Sequence, residues 1–155
     1  MEKVIIIVVA IVIVIVIALF VLGYRSQTGE APGLVDGRLQ ACPNTPNCVS
    51  SEFESDADHY IEPITLLNDD ASWVMPRLKA TVEKLGGNVR SESNKYLSAT
   101  FTSSIFRYVD DFELRLDAAT NTVHVRSASR VGRSDLGANR ERVERFRTAF
   151  QSQAD

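Results

Sequence analysis

The chain has 155 residues, a formal net charge of −3 at pH 7, two cysteines and two histidines. That balance excludes the broad basic surface a nucleic-acid partner would need, and so few His and Cys leave little material for a metal centre. There are no internal repeats, and no low-complexity tract beyond the first segment.

That segment, residues 4–22, holds nineteen residues without a polar side chain, fourteen of them Ile or Val. At about 1.5 Å per residue it reaches roughly 28 Å, close to the hydrocarbon thickness of about 30 Å. In water so much Ile and Val would favour strand, but in lipid every backbone group must pair within the segment, and helix wins. A secretory signal would carry a shorter apolar stretch and a small-residue cleavage site. Here the exit reads Phe20-Val21-Leu22-Gly23-Tyr24-Arg25. One transmembrane helix over 4–22 is therefore expected, after a short flank over 1–3. Lysine and arginine are too evenly placed around it to orient it. Residues 23–41 hold four Gly and Pro32 and read as a flexible linker. Residues 42–155 are the size of one soluble domain.

The domain opens on Cys42-Pro43-Asn44-Thr45-Pro46-Asn47-Cys48-Val49-Ser50-Ser51. A Cys42–Cys48 disulfide is expected: cysteines six positions apart can close a loop worth roughly 2 kcal/mol by chain entropy, and outside the cytosol that is the expected state. A metal site of Cys42, Cys48 and His59 is the alternative, although five intervening residues exceed the usual zinc spacing. The pattern is not that of a redox-active Cys-x-x-Cys.

Tyr60 to Leu67 reads as a short strand ending at the Asn68-Asp69-Asp70 turn. A helix is expected over about Ser72 to Leu85. Val74, Leu78, Val82 and Leu85 form its stripe, Trp73 lies in the core beside them, and Gly86-Gly87 stops it. The period then becomes two. Val89–Ser93 and Leu97–Thr102 suggest a hairpin that pairs Val89 with Phe101. Val109–Asp117 and Thr122–Arg130 suggest a second, pairing Asp117 with Thr122. That register turns Phe112, Leu114, Leu116, Val123, Val125 and Ser127 inward and sets Glu113 opposite Arg126 outside. A last helix is expected over about Asp135 to Gln151, with Leu136, Val143, Phe146 and Phe150 on its apolar stripe and Ser134 or Asp135 as cap. Asn139 falls on the same stripe. The order predicts an α+β domain: an antiparallel sheet of about five strands with two helices on one face.

The charges are segregated. Residues 52–70 hold seven carboxylates and no Lys or Arg, whereas residues 121–155 hold seven Arg against four carboxylates. Within the second region, residues 126–140 run off a strand, through a Gly turn, into a helix start. Free N–H groups at a helix N-terminus and guanidinium groups nearby suit an anion. Arg126, Arg130, Arg140, Asp111, Asp135 and Asn139 are the candidate ligand-binding residues. The alternative is an Arg–carboxylate lattice, also using Asp110 and Glu113, that only holds sheet to helix. No catalytic residue is indicated. His59 and His124 lack a nucleophile partner, and phosphate-loop, dinucleotide and His-Glu-x-x-His patterns are all missing. No cofactor and no metal are expected.

These strings resemble the family catalogued as domain of unknown function 1499, over about residues 37–150. The resemblance rests on the Cys42–Ser51 opening, His59-x-Ile61-x-Pro63, Leu97-x-Ala99-Thr100-Phe101 and Val109-Asp110-Asp111-x-Glu113. It continues in Val125-Arg126-Ser127-Ala128-Ser129-Arg130-Val131-Gly132 and Ser134-Asp135-Leu136-Gly137-x-Asn139-Arg140-x-Arg142-Val143. It implies a mostly bacterial protein, often with an N-terminal membrane segment or export signal, and assigns no catalytic residue. The expectation is a single-pass protein of the bacterial inner membrane with its domain in the periplasm, binding a small anion or a membrane partner and no nucleic acid. An envelope-side hydrolase or lipid-processing enzyme using the Arg/Asp cluster is one alternative. A purely structural partner domain of a membrane complex is the other.

Overall fold

The computed structural model describes residues 1–66 and 71–152. Helix α1 runs from Glu2 to Ser26, four residues past the apolar run, and is long and apolar enough to cross a membrane. Two short strands follow, β1 (Leu34–Val35) and β2 (Arg38–Leu39), paired Leu34 with Leu39 and Val35 with Arg38. The turn between them is Asp36-Gly37, both at positive φ (50° and 76°), the two-residue hairpin turn that this dipeptide favours. Residues 23–41 thus carry structure that the linker reading does not anticipate: a helix end, a hairpin, and a buried Leu39.

The remaining elements are β3 (Cys48–Ser50), β4 (Ile64–Thr65), α2 (Ala71–Lys84), β5 (Asn88–Glu92), β6 (Tyr96–Thr102), β7 (Val109–Asp117), β8 (Thr122–Ser129) and α3 (Ala138–Gln151). Six strands form one antiparallel sheet in the order β3-β8-β7-β6-β5. Strand β4 shares the outer edge of β8 with β3, beside Val123 and Thr122, while β3 lies beside Arg126 to Ala128. The fold is α+β, as expected. The strand expected over Tyr60 to Leu67 shrinks to Ile64–Thr65 and one bridge from Tyr60 to Ser50. Leu67 and the expected Asn68-Asp69-Asp70 turn lie outside the described residues. Strand β3 was not anticipated, since three residues paired to a partner some eighty positions away leave no periodic signal.

The β7–β8 register is as read from the sequence, from Asp117 opposite Thr122 through Glu113 opposite Arg126 to Phe112 opposite Ser127. The β5–β6 register differs. Glu92, and not Ser93, pairs Leu97, and a bulge at Arg90 inserts one further residue into β5, so Val89 pairs Ala99 and not Phe101. Both helices pack on the inner face. Val74, Leu78 and Val82 of α2 join Val143, Phe146 and Phe150 of α3, over Leu97, Ala99, Phe112, Leu114, Val123 and Val125. Phe112 and Phe146 stack obliquely, 5.1 Å between centroids. Each such large apolar side chain contributes about 2 kcal/mol on leaving water.

Two core assignments fail. Trp73 is 71 % exposed: it lies one position from Val74, about 100° round the helix, beyond the buried stripe. Leu136 is 97 % exposed and not helical. Asp135 accepts the Gly137 N–H at 3.1 Å, a tight local turn in which Leu136 takes φ 55° and Gly137 φ 85°, so α3 starts only at Ala138.

Candidate functional site

Alternation along β7 and β8 divides the sequence-predicted cluster between the two faces of the sheet. On the outer face lie Asp111, Arg126 and Arg130; on the helix face lie Asp135 and Asn139. Arg140 joins neither group: it is exposed on α3, and its guanidinium donates to the Asp58 carbonyl at 3.5 Å. The six residues therefore do not bound a single site, because consecutive β-residues point to opposite sides.

On the helix face, Asn139 is a buried junction. Its Oδ1 accepts from the Ser127 hydroxyl and from Arg142 Nη1. Its Nδ2 donates to the Asn47 carbonyl (3.0 Å), Ser129 Oγ (2.9 Å) and Asp135 Oδ2 (2.8 Å). Asp135 also accepts the Asn139 N–H at 2.7 Å, in the first turn of α3. Arg142 pairs with Asp110 at 2.6 Å and lies over the Phe101 ring. Every polar group here finds a partner inside the protein, so this half acts as the lattice that fastens α3 and the Cys42–Cys48 loop to β8. The two cysteines form a disulfide, Cα–Cα 5.7 Å, which leaves no thiolate for the alternative zinc arrangement. His59 braces the loop, with Nδ1 against Asp56 (2.8 Å) and Nε2 against the Thr45 carbonyl (3.1 Å).

The outer face is polar and is covered by residues 26–39. Glu113 is fully buried: it receives Arg126 Nη1 at 3.0 Å, the Tyr96 hydroxyl at 2.7 Å and the Gly33 N–H at 3.0 Å. Burial pushes its carboxyl upward, against these three donors, and burial beside Glu113 likewise pushes the Tyr96 phenol up. Arg126 Nε is buried with no hydrogen-bond partner among the described residues. Arg130 grips Asp111 through two bonds (3.0 and 2.7 Å) and donates to the Ser26 carbonyl at the end of α1 (3.2 Å). At the other end of this face, Glu52 accepts Arg38 Nε (2.9 Å), Arg115 Nε (2.6 Å) and the Leu39 N–H (3.2 Å). Burial pushes Glu52 up, but Arg115, Arg38 and Leu39 outweigh it and leave the group below the usual carboxylate range.

Sequence reading found no partner for His124. The structure brings the Ser51 hydroxyl to its Nδ1 at 3.2 Å and Glu52 to the same nitrogen at 3.9 Å. Both groups meet one nitrogen, and Ser51 is buried and also accepts the Val125 N–H (2.9 Å), so the trio lacks the relay geometry of a nucleophile, base and orienting acid. Burial pushes the His124 imidazole down, toward the neutral form.

Between the 29–33 segment and the sheet a cleft of about 380 Å³ remains open. Its walls are Gly29, Glu30, Ala31 and Gly33 on one side, and Arg90, Ser91, Tyr96, Ser98, Asp111 and Arg130 on the other. Two predicted residues, Asp111 and Arg130, thus reach a cleft; the rest of its wall was not foreseen. Arg90 owes its place to the β5 bulge, a device that re-aims side chains beside binding sites. Among the described residues it forms no ion pair. Sequence signals for this wall existed in the Asp36-Gly37 hairpin turn and in the alternation of Tyr96, Ser98 and Thr100. Among the described residues, no group of three or more His, Cys, Asp or Glu is placed to hold a metal ion.

An α+β domain with a disulfide-closed entry loop, joined to one membrane-length apolar helix, is the class that fold and site define. The model of the family described as "Protein of unknown function (DUF1499)" matches residues 38–150, and the chain belongs to that family. No curated protein matches the chain.

Proposed function

We infer that this protein is a membrane-anchored module outside the cytosol that binds a small anionic ligand in the cleft between residues 29–33 and strands β5 to β8. The carrying observation is Arg90, a guanidinium on the cleft wall with no ion pair among the described residues, which shares that wall with Ser91 and Ser98. Arg130 is already satisfied by Asp111 and the Ser26 carbonyl, so it shapes the wall and leaves the ligand's charge to Arg90. Glu30 on the opposite wall favours an anion that also carries a donor or an amine. The disulfide supports an oxidising compartment, which for a bacterial chain is the periplasm.

Hydrolysis is less well supported. Glu113 has the raised carboxyl a general acid needs, yet Gly33 and Tyr96 roof it off from the cleft, and substrate could reach it only if that roof opened. The test is thermal stabilisation of the detergent-solubilised protein by phosphate, phosphoethanolamine and dicarboxylates. Wild type should be stabilised by at least one of them and Arg90→Ala by none, with its ligand-free melting temperature unchanged. A wild type indifferent to the whole panel would refute the reading.

A further inference from the structure

The end of α1 does not stand clear of the domain. Phe20 packs edge-on against Phe106 of the β6–β7 loop, with centroids 5.2 Å apart. Gly23 lies so close to the same loop that a Cβ built on it would sit 1.7 Å from the Phe106 carbonyl oxygen. Ser26 Oγ receives the Val109 N–H at 2.9 Å, and the Ser26 carbonyl receives Arg130. These contacts tie helix, loop and sheet end together over residues 20–26.

Depth follows from the helix itself. Phe20 lies two residues inside the end of the apolar run, about 3 Å at 1.5 Å per residue. If α1 spans a bilayer, the reading on which this inference rests, the Phe106 ring sits at the hydrocarbon boundary. The loop's other residues suit that depth. Ile105 is 68 % exposed. Arg107 is exposed and forms no ion pair among the described residues, and Tyr108 is half-buried, beside the Phe106 ring at 6.0 Å. Tyr24 and Arg25 on α1 add the same pair of residue types at the same level, the aromatic and cationic composition of a membrane interface. The neighbouring loop leaves β8 at this end of the sheet, where the Arg130 N–H reaches the Val109 carbonyl, and it holds Leu136 and Arg133, both exposed.

We propose that the β6–β7 loop is a second membrane contact: Ile105 and Phe106 enter the outer edge of the hydrocarbon, Arg107 meets lipid phosphates, and the domain rests on the bilayer with the β7–β8 turn pointing away. The occupant is the lipid surface, because the exposed apolar run of α1 that carries Phe20 needs an apolar phase around it and the Phe106 ring packs on Phe20. An exposed Ile105 beside a membrane helix is thereby covered without a protein partner. The same placement brings the mouth of the Arg90 cleft, whose wall begins at Gly29, to within a few residues of the membrane surface.

Neither native cysteine is free, so single added cysteines can be labelled with an environment-sensitive fluorophore in the full-length protein. Four variants are reconstituted in phosphatidylcholine–phosphatidylglycerol vesicles carrying nitroxide lipids: Ile13→Cys, Tyr24→Cys, Ile105→Cys and Ala119→Cys. The label at 105 should emit to the blue of the label at 119 and be quenched by shallow nitroxides as strongly as the label at 24. The label at 119, in the exposed β7–β8 turn, should be unquenched. Quenching at 13 by deep nitroxides with water-like, unquenched emission at 105 would overturn the loop contact and leave the anchor standing. Loss of deep quenching at 13 would overturn the anchor itself, and the loop contact with it.

Discussion

Replacing Asn139 with leucine, a side chain branched at the same atom, removes the polar junction between α3, β8 and the disulfide loop while keeping the site filled. The cost depends on what is stranded. Arg142 keeps Asp110 and the Ser127 hydroxyl, Asp135 keeps two backbone N–H groups, and the Asn47 carbonyl keeps the Ser129 N–H. The Ser127 hydroxyl, wholly buried, loses the acceptor for its proton, and the half-buried Ser129 Oγ loses the Asn139 amide as donor. The stranded, buried Ser127 hydroxyl costs about 1–3 kcal/mol and the half-buried Ser129 less, while the leucine side chain returns part of this as apolar burial, so a net loss of about 2 kcal/mol is expected. Urea unfolding followed by far-ultraviolet circular dichroism measures it. Adding Ser127→Ala to Asn139→Leu removes the stranded hydroxyl but also the acceptor that Arg142 Nη1 had kept, so the double mutant should gain nothing over the single one. A single-mutant loss below about 1 kcal/mol would refute the view that this face is a closed lattice with no ligand to wait for.

Cys42→Ser, or reduction of the wild type, should cost about 2 kcal/mol in the same unfolding experiment without abolishing the fold, since the closed loop is short. Glu52, held below its ordinary value of 4.5, contributes stability that is full above that pH and is lost as pH falls through its lower folded value; Glu52→Gln should therefore weaken the protein near neutrality and flatten its acid limb in a pH series of melting temperatures. Glu113, raised by burial, acts with the opposite sign, its contribution falling as pH rises above the ordinary carboxyl value, so Glu113→Gln should leave the acid limb in place. Gly23→Ala should lower the melting temperature of the full-length protein by an overpacking cost of about 1–3 kcal/mol, as its methyl meets the Phe106 backbone; Gly29→Ala should cost less, because its methyl meets only the flexible Arg130 side chain at 3.1 Å.

Features written into the sequence are those whose physics is local. Nineteen apolar residues can satisfy their backbone in lipid only as a helix, and helix is what residues 2–26 form. Two cysteines in a proline-bearing loop are already close before folding, and they pair. In the β7–β8 hairpin, apolar alternation and the Glu113–Arg126 facing pair demand the same register, and a four-residue turn leaves little freedom to slip. The stripes of α2 and α3 likewise placed Val74, Leu78, Val82, Val143, Phe146 and Phe150 in the core.

What tertiary structure decided is where polar groups meet across long separations. A run of charged residues states composition but not which sheet face each member occupies, and one residue of offset sends Asp110 to Arg142 and Asp111 to Arg130. Residues 26–39 lack apolar periodicity because the surface they cover is itself polar, held by Glu113 on the Gly33 N–H, by Glu52 on the Leu39 N–H and by Arg130 on Ser26. The Arg90 cleft exists only because that segment spans the sheet above a bulge, and a bulge is an accommodation between two strands that neither strand encodes alone. Leu136 and Trp73 are exposed for a related reason: a turn at Asp135 and a rotation of 100° on α2 outrank their hydrophobicity. The contact of Phe20 with Phe106, eighty-six positions apart, could be fixed only once the β6–β7 loop and the end of α1 had been brought to the same end of one sheet.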